Sequence, residues 1–195
     1  HEDHSGGIVK HALRRANWGL EPATYYAEEE NISGLHELHA AQQKLHRNRS
    51  YDILPIIPLD VNSEIAVGAR LVVRPFRAFH RIPCLGYALW SNRRKLKSEF
   101  SHLPGAEIGQ LKRSGVEIDT AIAVPEIAFC GDTTIKVMSG PAGEMLRRVR
   151  VLLLECSFVE DEVTPEKAHR TGHIHIADII EAAHQNIFAN EVILL

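Results

Sequence analysis

The sequence predicts an α/β layered domain with its chemistry along one edge of a sheet. Three observations predict it. Apolar runs rich in Val, Ile and Leu stop at polar residues, amphipathic stretches of helical period alternate with them, and the residues at the stops are types that bind metals or move protons. The chain has 195 residues, 45% hydrophobic and 24% charged, enough for one globular domain or most of one.

The runs are Ala69 to Phe79 ahead of His80, Ala121 to Cys130 ahead of Asp132, Arg150 to Leu154 ahead of Glu155, and Glu191 to Leu195. They read as buried strands, with Pro83, Gly86 and Gly131 marking turns. Ser33 to Leu45 predicts a helix with Leu35, Leu38, Ala41 and Leu45 near one face. Ile176 to His184 predicts another, whose Ile176, Ile179, Ile180 and Ala183 form a core-facing stripe at i, i+3, i+4 and i+7. Thr164-Pro165-Glu166 reads as an N-cap followed by proline at the first helical position. No repeat, low-complexity tract or linker divides the chain.

Composition narrows the function classes. No apolar run approaches the roughly 20 residues of a membrane-spanning helix, so no membrane partner is expected. His1-Glu2-Asp3-His4 is neither a signal nor a transit peptide, and nothing argues for export. Cys84, Cys130 and Cys156 are dispersed with no CxxC pair, which excludes a zinc ribbon and argues against a disulfide scaffold. A reducing, cytoplasmic setting is expected. A net charge of −3 confers no general affinity for nucleic acid, so any such function rests on local patches. The twelve histidines are the anomaly, because imidazole is the commonest side-chain metal ligand.

In HEDHSGG, a tight turn before a helix would let His1, Asp3 and His4 point at one cavity, a donor set that suits zinc. FHRIPCLGY places His80 at a strand end, and FCGDTT does the same for Asp132, with Gly131 allowing a tight backbone turn. A carboxylate such as Asp132 can bridge two cations roughly 3.5–4 Å apart, the spacing of two-metal hydrolases. Taken singly, each segment is also what a solvated terminus or a polar turn residue looks like; their conjunction on strand ends points to a site. His36, His39 and His46 ride on the first helix and read as solvated. His11 stands one helical stretch past His4 as a candidate supporting residue, and His102, His169 and His184 carry no signal.

HEDHSGG, FHRIPCLGY, AFCGDTT, LLLECSF and TGHIHIADIIEAA together resemble ribonuclease Z, the endonuclease of the metallo-β-lactamase superfamily that trims tRNA 3′ ends. The similarity runs through nearly the whole chain and is closest to short, plant-type forms. It implies an αββα sandwich, two zinc ions, precursor tRNA as substrate and a homodimer left open. It makes His1, Asp3, His4, His80 and Asp132 metal ligands, with Asp132 bridging and Asp3 also a proton acceptor. Glu155 falls on the acid of the family's HEAT segment, and His173 on the histidine of its HST segment, a pair that assists proton transfer. The sequence departs from the family at Leu154, where HEAT has its histidine, and at His175, where HST has threonine. The first histidine of HxHxDH would precede His1 and the ligand of HFSxRY would follow Leu195. Residues 1–195 are therefore expected to be a single partial domain, without its N-terminal strands and C-terminal end.

Arg93, Arg94, Lys95 and Lys97, then Lys112 and Arg113, fall between the His80 and Asp132 strands, and Arg147, Arg148 and Arg150 lead into the Glu155 strand. Such runs are commonly solvated faces. Here they would place positive potential beside the site, which suits a phosphodiester chain. Ser91 to Ile118, where many ribonuclease Z proteins carry a Gly/Pro-rich arm that grips the tRNA elbow, is short and lacks that composition. Two rival readings accompany the nuclease: the same site acting on another small ester or phosphodiester, and a non-catalytic relative that keeps the fold.

Overall fold

The computed structural model describes residues 2–46, 54–188 and 191–195. The chain opens with helices α1 (Glu2–Ser5) and α2 (Gly7–Asn17). Strands β1 (Tyr25–Glu28) and β2 (Ile56–Leu59) flank helix α3 (Glu29–His46) and pair in parallel. The rest is built on a six-stranded sheet whose spatial order follows the sequence: β3 (Ile65–Val67), β4 (Leu71–Arg77), β5 (Leu85–Leu96), β6 (Asp119–Phe129), β7 (Val151–Leu154) and β8 (Glu191–Leu194). Strands β3 to β6 are antiparallel neighbours, whereas β6, β7 and β8 are parallel. Parallel neighbours need crossovers. Helix α5 (Gly143–Leu146) supplies one before β7, and α6 (Pro165–Thr171) with α7 (Ile176–His184) the other before β8. Helix α4 (Gly105–Arg113) sits in the β5–β6 connection.

The four apolar runs become β4, β6, β7 and β8, with end points shifted by a residue or two. Their near-continuous apolarity has a physical cause. One face of these strands carries Phe76, Ala128, Leu152 and Leu154 into a core shared with Val137, Met138, Leu146, Ile174 and Ile179. The other face is also apolar, and Ile127, Phe129 and Ile193 lie on it. Alternation is lost when both faces are apolar.

Several local expectations change. Gly86 is not a turn residue. It lies inside β5, where an added Cβ would collide with the Phe76 ring, so glycine there permits the close approach of β4. Residues 2–5 form a helix rather than a tight turn. The buried stripe of α3 runs through Leu35 and His39, while Ala41 and Leu45 face outward. In α7 the buried residues are Ile179 and Ala182, with Ile180 and Ala183 turned out. The Thr164 cap is as expected: its hydroxyl accepts the Lys167 N–H, with Pro165 in the first helical position.

Candidate active site

The sheet register brings the polar stops together. Arg77 at the end of β4 pairs with Leu85 at the start of β5, Tyr87 pairs with Phe129 at the end of β6, and Phe129 pairs with Leu153 near the end of β7. His80, Asp132 and Glu155, each one to three residues past its strand, therefore leave the sheet at the same end. Gly131, with φ +62°, turns the chain so that Asp132 comes forward; this left-handed conformation favours glycine.

At that end His80, Asp132 and His173 each offer a ligand atom within 4.8 Å of the others. The His80 and His173 rings meet edge to face, with centroids 5.0 Å apart. His4 joins them from α1, its Nε2 lying 3.1 Å from Asp132 Oδ2. The structure thus gathers four of the expected residues from four separate segments. His1 and the side chain of Asp3 lie outside the described residues. Cys84 also borders this cluster, and burial, then the Asp132 charge, pushes its thiol up.

Glu155 stands behind the cluster, 7% exposed and surrounded by donors. Oε1 accepts the Thr133 N–H at 2.9 Å and faces His173 Nδ1 at 3.0 Å. Oε2 accepts the Ser157 hydroxyl at 2.6 Å, the Ser157 N–H at 3.2 Å and, more weakly, the Ile174 N–H at 3.4 Å. Backbone N–H groups and the Ser157 hydroxyl converge on both oxygens, so each acts as an acceptor. Because Glu155 only accepts, His173 Nδ1 must carry the proton of their bond, and Nε2 is the nitrogen left for a reaction. Thr133 extends the stitching: its Oγ1 accepts the Phe79 N–H at 2.9 Å, and the Phe79 carbonyl accepts the Thr134 N–H at 2.9 Å. The loops of His80, Asp132, Glu155 and His173 are thereby one hydrogen-bonded unit.

Two supporting residues escape a reading of the sequence alone. Ser157, the last position of the HEAT-like segment, holds Glu155 and also lies 3.3 Å from His173 Nδ1. Gly172, with φ +92°, accepts His80 Nδ1–H on its carbonyl at 2.9 Å, so Nδ1 is a ring nitrogen that carries a proton. A Cβ on Gly172 would lie 2.5 Å from His80 Nδ1. His175, the departure from the family's threonine, caps α7: its Nδ1 accepts the Ala177 N–H at 3.1 Å while Asp178 accepts the His175 N–H at 3.0 Å. The ring supplies the cap acceptor that a hydroxyl or carboxylate commonly supplies.

Other expectations are corrected. Arg93, Arg94, Lys95 and Lys97 are not beside the site. Arg93 is eight residues beyond Leu85, so the group lies roughly 25 Å along β5 at ~3.3 Å per residue. Much of its charge is matched: Arg93 pairs with Glu126, Arg94 with Asp119, and Lys97 with Glu117. Glu126 can do this because it is the bulged residue of β6, opposite the register shift at Leu89 and Trp90. The Ser91 hydroxyl, then Arg93 and Arg150, hold its carboxyl below the usual range. His39 is buried rather than solvated. His11 bonds the Tyr25 hydroxyl at 2.7 Å and meets that ring edge to face, which ties α2 to β1 rather than supporting a ligand. His169, without signal in the sequence, pairs with Asp178.

An edge cluster of histidine and aspartate stands on strand ends of this α/β sheet, and solved structures show the fold to be that of the metallo-β-lactamase proteins. The metallo-β-lactamase fold protein YhfI of Bacillus subtilis superposes with a TM-score of 0.54 at 12% identity, covering 100% of this chain and 71% of its own. The short form of human tRNase Z gives 0.50 at 18% identity, covering 89% and 60%. No protein-family model matches the sequence. Among curated proteins, tRNase Z TRZ1 of Arabidopsis thaliana is 34% identical over 198 residues, covering 100% of this chain and 68% of its own length. The chloroplastic tRNase Z TRZ2 of the same plant is 37% identical over 186 residues, covering 94% of this chain and 51% of its own. The chain belongs to the tRNase Z family. It spans about half the length of TRZ2 and about two thirds of that of TRZ1.

Proposed function

We propose that this chain carries the catalytic centre of a zinc-dependent phosphodiesterase that removes the 3′ trailer from precursor tRNA. The observation that carries the reading is the convergence of His4, His80, Asp132 and His173 at one sheet end, backed by a buried, fully bonded Glu155. The donor set fits the metal. Imidazole and carboxylate suit zinc, and His80 has the carbonyl partner that metal-binding histidines have on their second nitrogen. His4, His80 and Asp132, with His1 and Asp3, would hold the ions. Bound zinc supplies Lewis acidity, acidifying water and offsetting phosphate charge.

The protein's own groups do the rest. Asp3 would accept the proton of the attacking water. His173, its Nδ1–H fixed on Glu155, would present Nε2–H to the departing 3′ oxygen of the tRNA, and a histidine's near-neutral pKa suits that transfer. Arg93, Arg94, Lys95 and Lys97, far from the cut, would meet a distant part of an extended substrate. That placement favours a polynucleotide over a small ester, for which a basic group roughly 25 Å away serves no purpose. A cytoplasmic setting and a homodimer belong to the same proposal.

The test is cleavage of a precursor tRNA bearing a 3′ trailer, alongside a small phosphodiester, at several salt concentrations with zinc content measured in parallel. Trailer removal with a steep fall in affinity as salt rises is expected. Turnover of the small ester alone, insensitive to salt, would replace this reading with its nearest rival. His173→Ala should lower the rate on RNA by roughly 10²–10⁴-fold with zinc content unchanged. Loss of zinc with the rate per bound ion intact would make His173 a ligand instead.

A further inference from the structure

The junction between α6 and α7 carries two pieces of the site: His173 itself and the Gly172 carbonyl that holds His80. Both helices are short, seven and nine residues, so neither has much stability alone and their relative placement depends on tertiary bonds. Between them Gly172 adopts a left-handed conformation, a natural pivot. Across this pivot lies a pair that the proposed reaction does not use. His169 Nε2, in the last turn of α6, lies 2.9 and 2.8 Å from the two carboxylate oxygens of Asp178, in the first turn of α7. Oδ2 of Asp178 also accepts the His175 N–H at 3.0 Å. The Asp178 side chain is 12% exposed and that of His169 37%. One carboxylate therefore ties the end of α6, the cap residue and α7 together on either side of His173.

We propose that His169 and Asp178 form a latch across the α6–α7 junction, and that both are positioning residues for His173 and, through the Gly172 carbonyl, for His80. The functional consequence rests on the reading of His173 as proton donor, whereas the latch itself rests on geometry. Opening it frees Gly172 to swing. The His173–Glu155 bond and the Gly172–His80 bond then loosen together, since both hang from the same two residues. Displacements near 1 Å at a reacting group cost catalysis as much as about 10²-fold.

The test uses the full-length protein with His169→Ala, Asp178→Ala and the double substitution. His169→Gln, whose amide can still donate to Asp178, is the conservative variant. Thr164→Ala, which removes the cap at the far end of α6, controls for general loosening. The first readout is the downfield proton resonance of His173 Nδ1–H bonded to Glu155, assigned by its disappearance in His173→Gln. It should vanish or broaden in both alanine variants and persist in His169→Gln and Thr164→Ala. Zinc affinity, read by chelator competition, should fall about 10-fold in the alanine variants. The double variant should be no worse than the worse single one, because both remove one interaction. On precursor tRNA, kcat should fall about 10-fold or more with KM nearly unchanged. A resonance as sharp in both alanine variants as in the unaltered chain would overturn the latch, as would its equal loss in Thr164→Ala. Should Asp178→Ala fail to fold, His169→Ala decides, since that side chain is partly exposed. If resonance and zinc affinity respond as expected while even the unaltered chain cleaves no RNA, the latch stands and the nuclease reading falls.

Discussion

Replacing Glu155 by glutamine conserves shape and removes one acceptor, and the bonds around this carboxylate set the cost. If the amide nitrogen takes the place of Oε1, the Thr133 N–H loses its acceptor in a fully buried position, and His173 must turn a lone pair toward the amide. If it takes the place of Oε2, the N–H groups of Ser157 and Ile174 are stranded, although the Ser157 hydroxyl can rotate to accept. Either placement orphans at least one buried backbone donor, at about 1–3 kcal/mol, and the surviving bonds lose their charge assistance. A total of about 2–4 kcal/mol is expected, read as a lowered urea midpoint at unchanged slope. The first placement also fixes the His173 proton on Nε2 with a bare Nδ1. That ring could not release its proton without becoming an anion, so cleavage should fall roughly 10²–10⁴-fold. A variant within about 0.5 kcal/mol of the original would refute the hydrogen-bond accounting. A destabilised variant that cleaves at the original rate would leave Glu155 a structural acid and remove it from the proton path.

Three further outcomes are expected from the same geometry. Gly172→Ala places a Cβ 2.5 Å from His80 Nδ1 in a backbone conformation that alanine resists, so zinc affinity in chelator competition should drop about 10–100-fold. Burial pushes the Cys130 thiol up to about 12 from 9.0, so the stability it contributes is fully present below about pH 9 and lost as pH rises toward 12. Cys130→Ala should flatten the decline of Tm between about pH 9 and 11, and an unchanged decline would place its cause elsewhere. Substituting Arg93, Arg94 and Lys95 by alanine should weaken precursor tRNA binding and reduce the slope of log affinity against log salt by about 0.7–0.9 per phosphate no longer neutralised. An unchanged slope would remove these side chains from the RNA-binding surface.

The strands that frame the site are legible in the sequence because both their faces are apolar, which produces unbroken runs with sharp polar ends. Strand β5 is not, because its second half, Ser91 to Leu96, is mostly polar and owes its extended form to pairing with β6. That is why Arg93 to Lys97 are misplaced by sequence reasoning: adjacency to His80 along the chain suggests adjacency in space, whereas a long strand carries them away. The buried stripe of α3 is obscured for the opposite reason, since His39 occupies a core position that apolar periodicity assigns to leucine or alanine. The residues that directly face one another across the site are recognisable by motif. Their supports are not. Ser157, Gly172, His169 and Asp178 act through individual hydrogen bonds, which leave no periodic signature and exist only once the loops have met.

That division has a consequence for how the site holds its shape. Residues 80, 132, 155 and 173 leave the fold from different segments, and loops so placed would wander if each relied on its own strand. Thr133 prevents this by bonding to Phe79 on one side and Glu155 on the other, and Glu155 passes the constraint to His173. Gly172 closes the circuit by returning from the His173 loop to His80. Each link in this ring joins residues far apart in sequence, so it cannot form before the sheet has set its register. Once formed, it makes the cluster respond as a unit: substitutions at two of its links should show strong non-additivity, unlike pairs in which one residue lies outside it. On the proposed reading, the arrangement also separates two tasks along β5. One end of the strand belongs to a rigid, hydrogen-bonded centre, and the other presents charges on an exposed surface where pairing with Glu126 and Asp119 leaves them able to exchange partners with a phosphate chain.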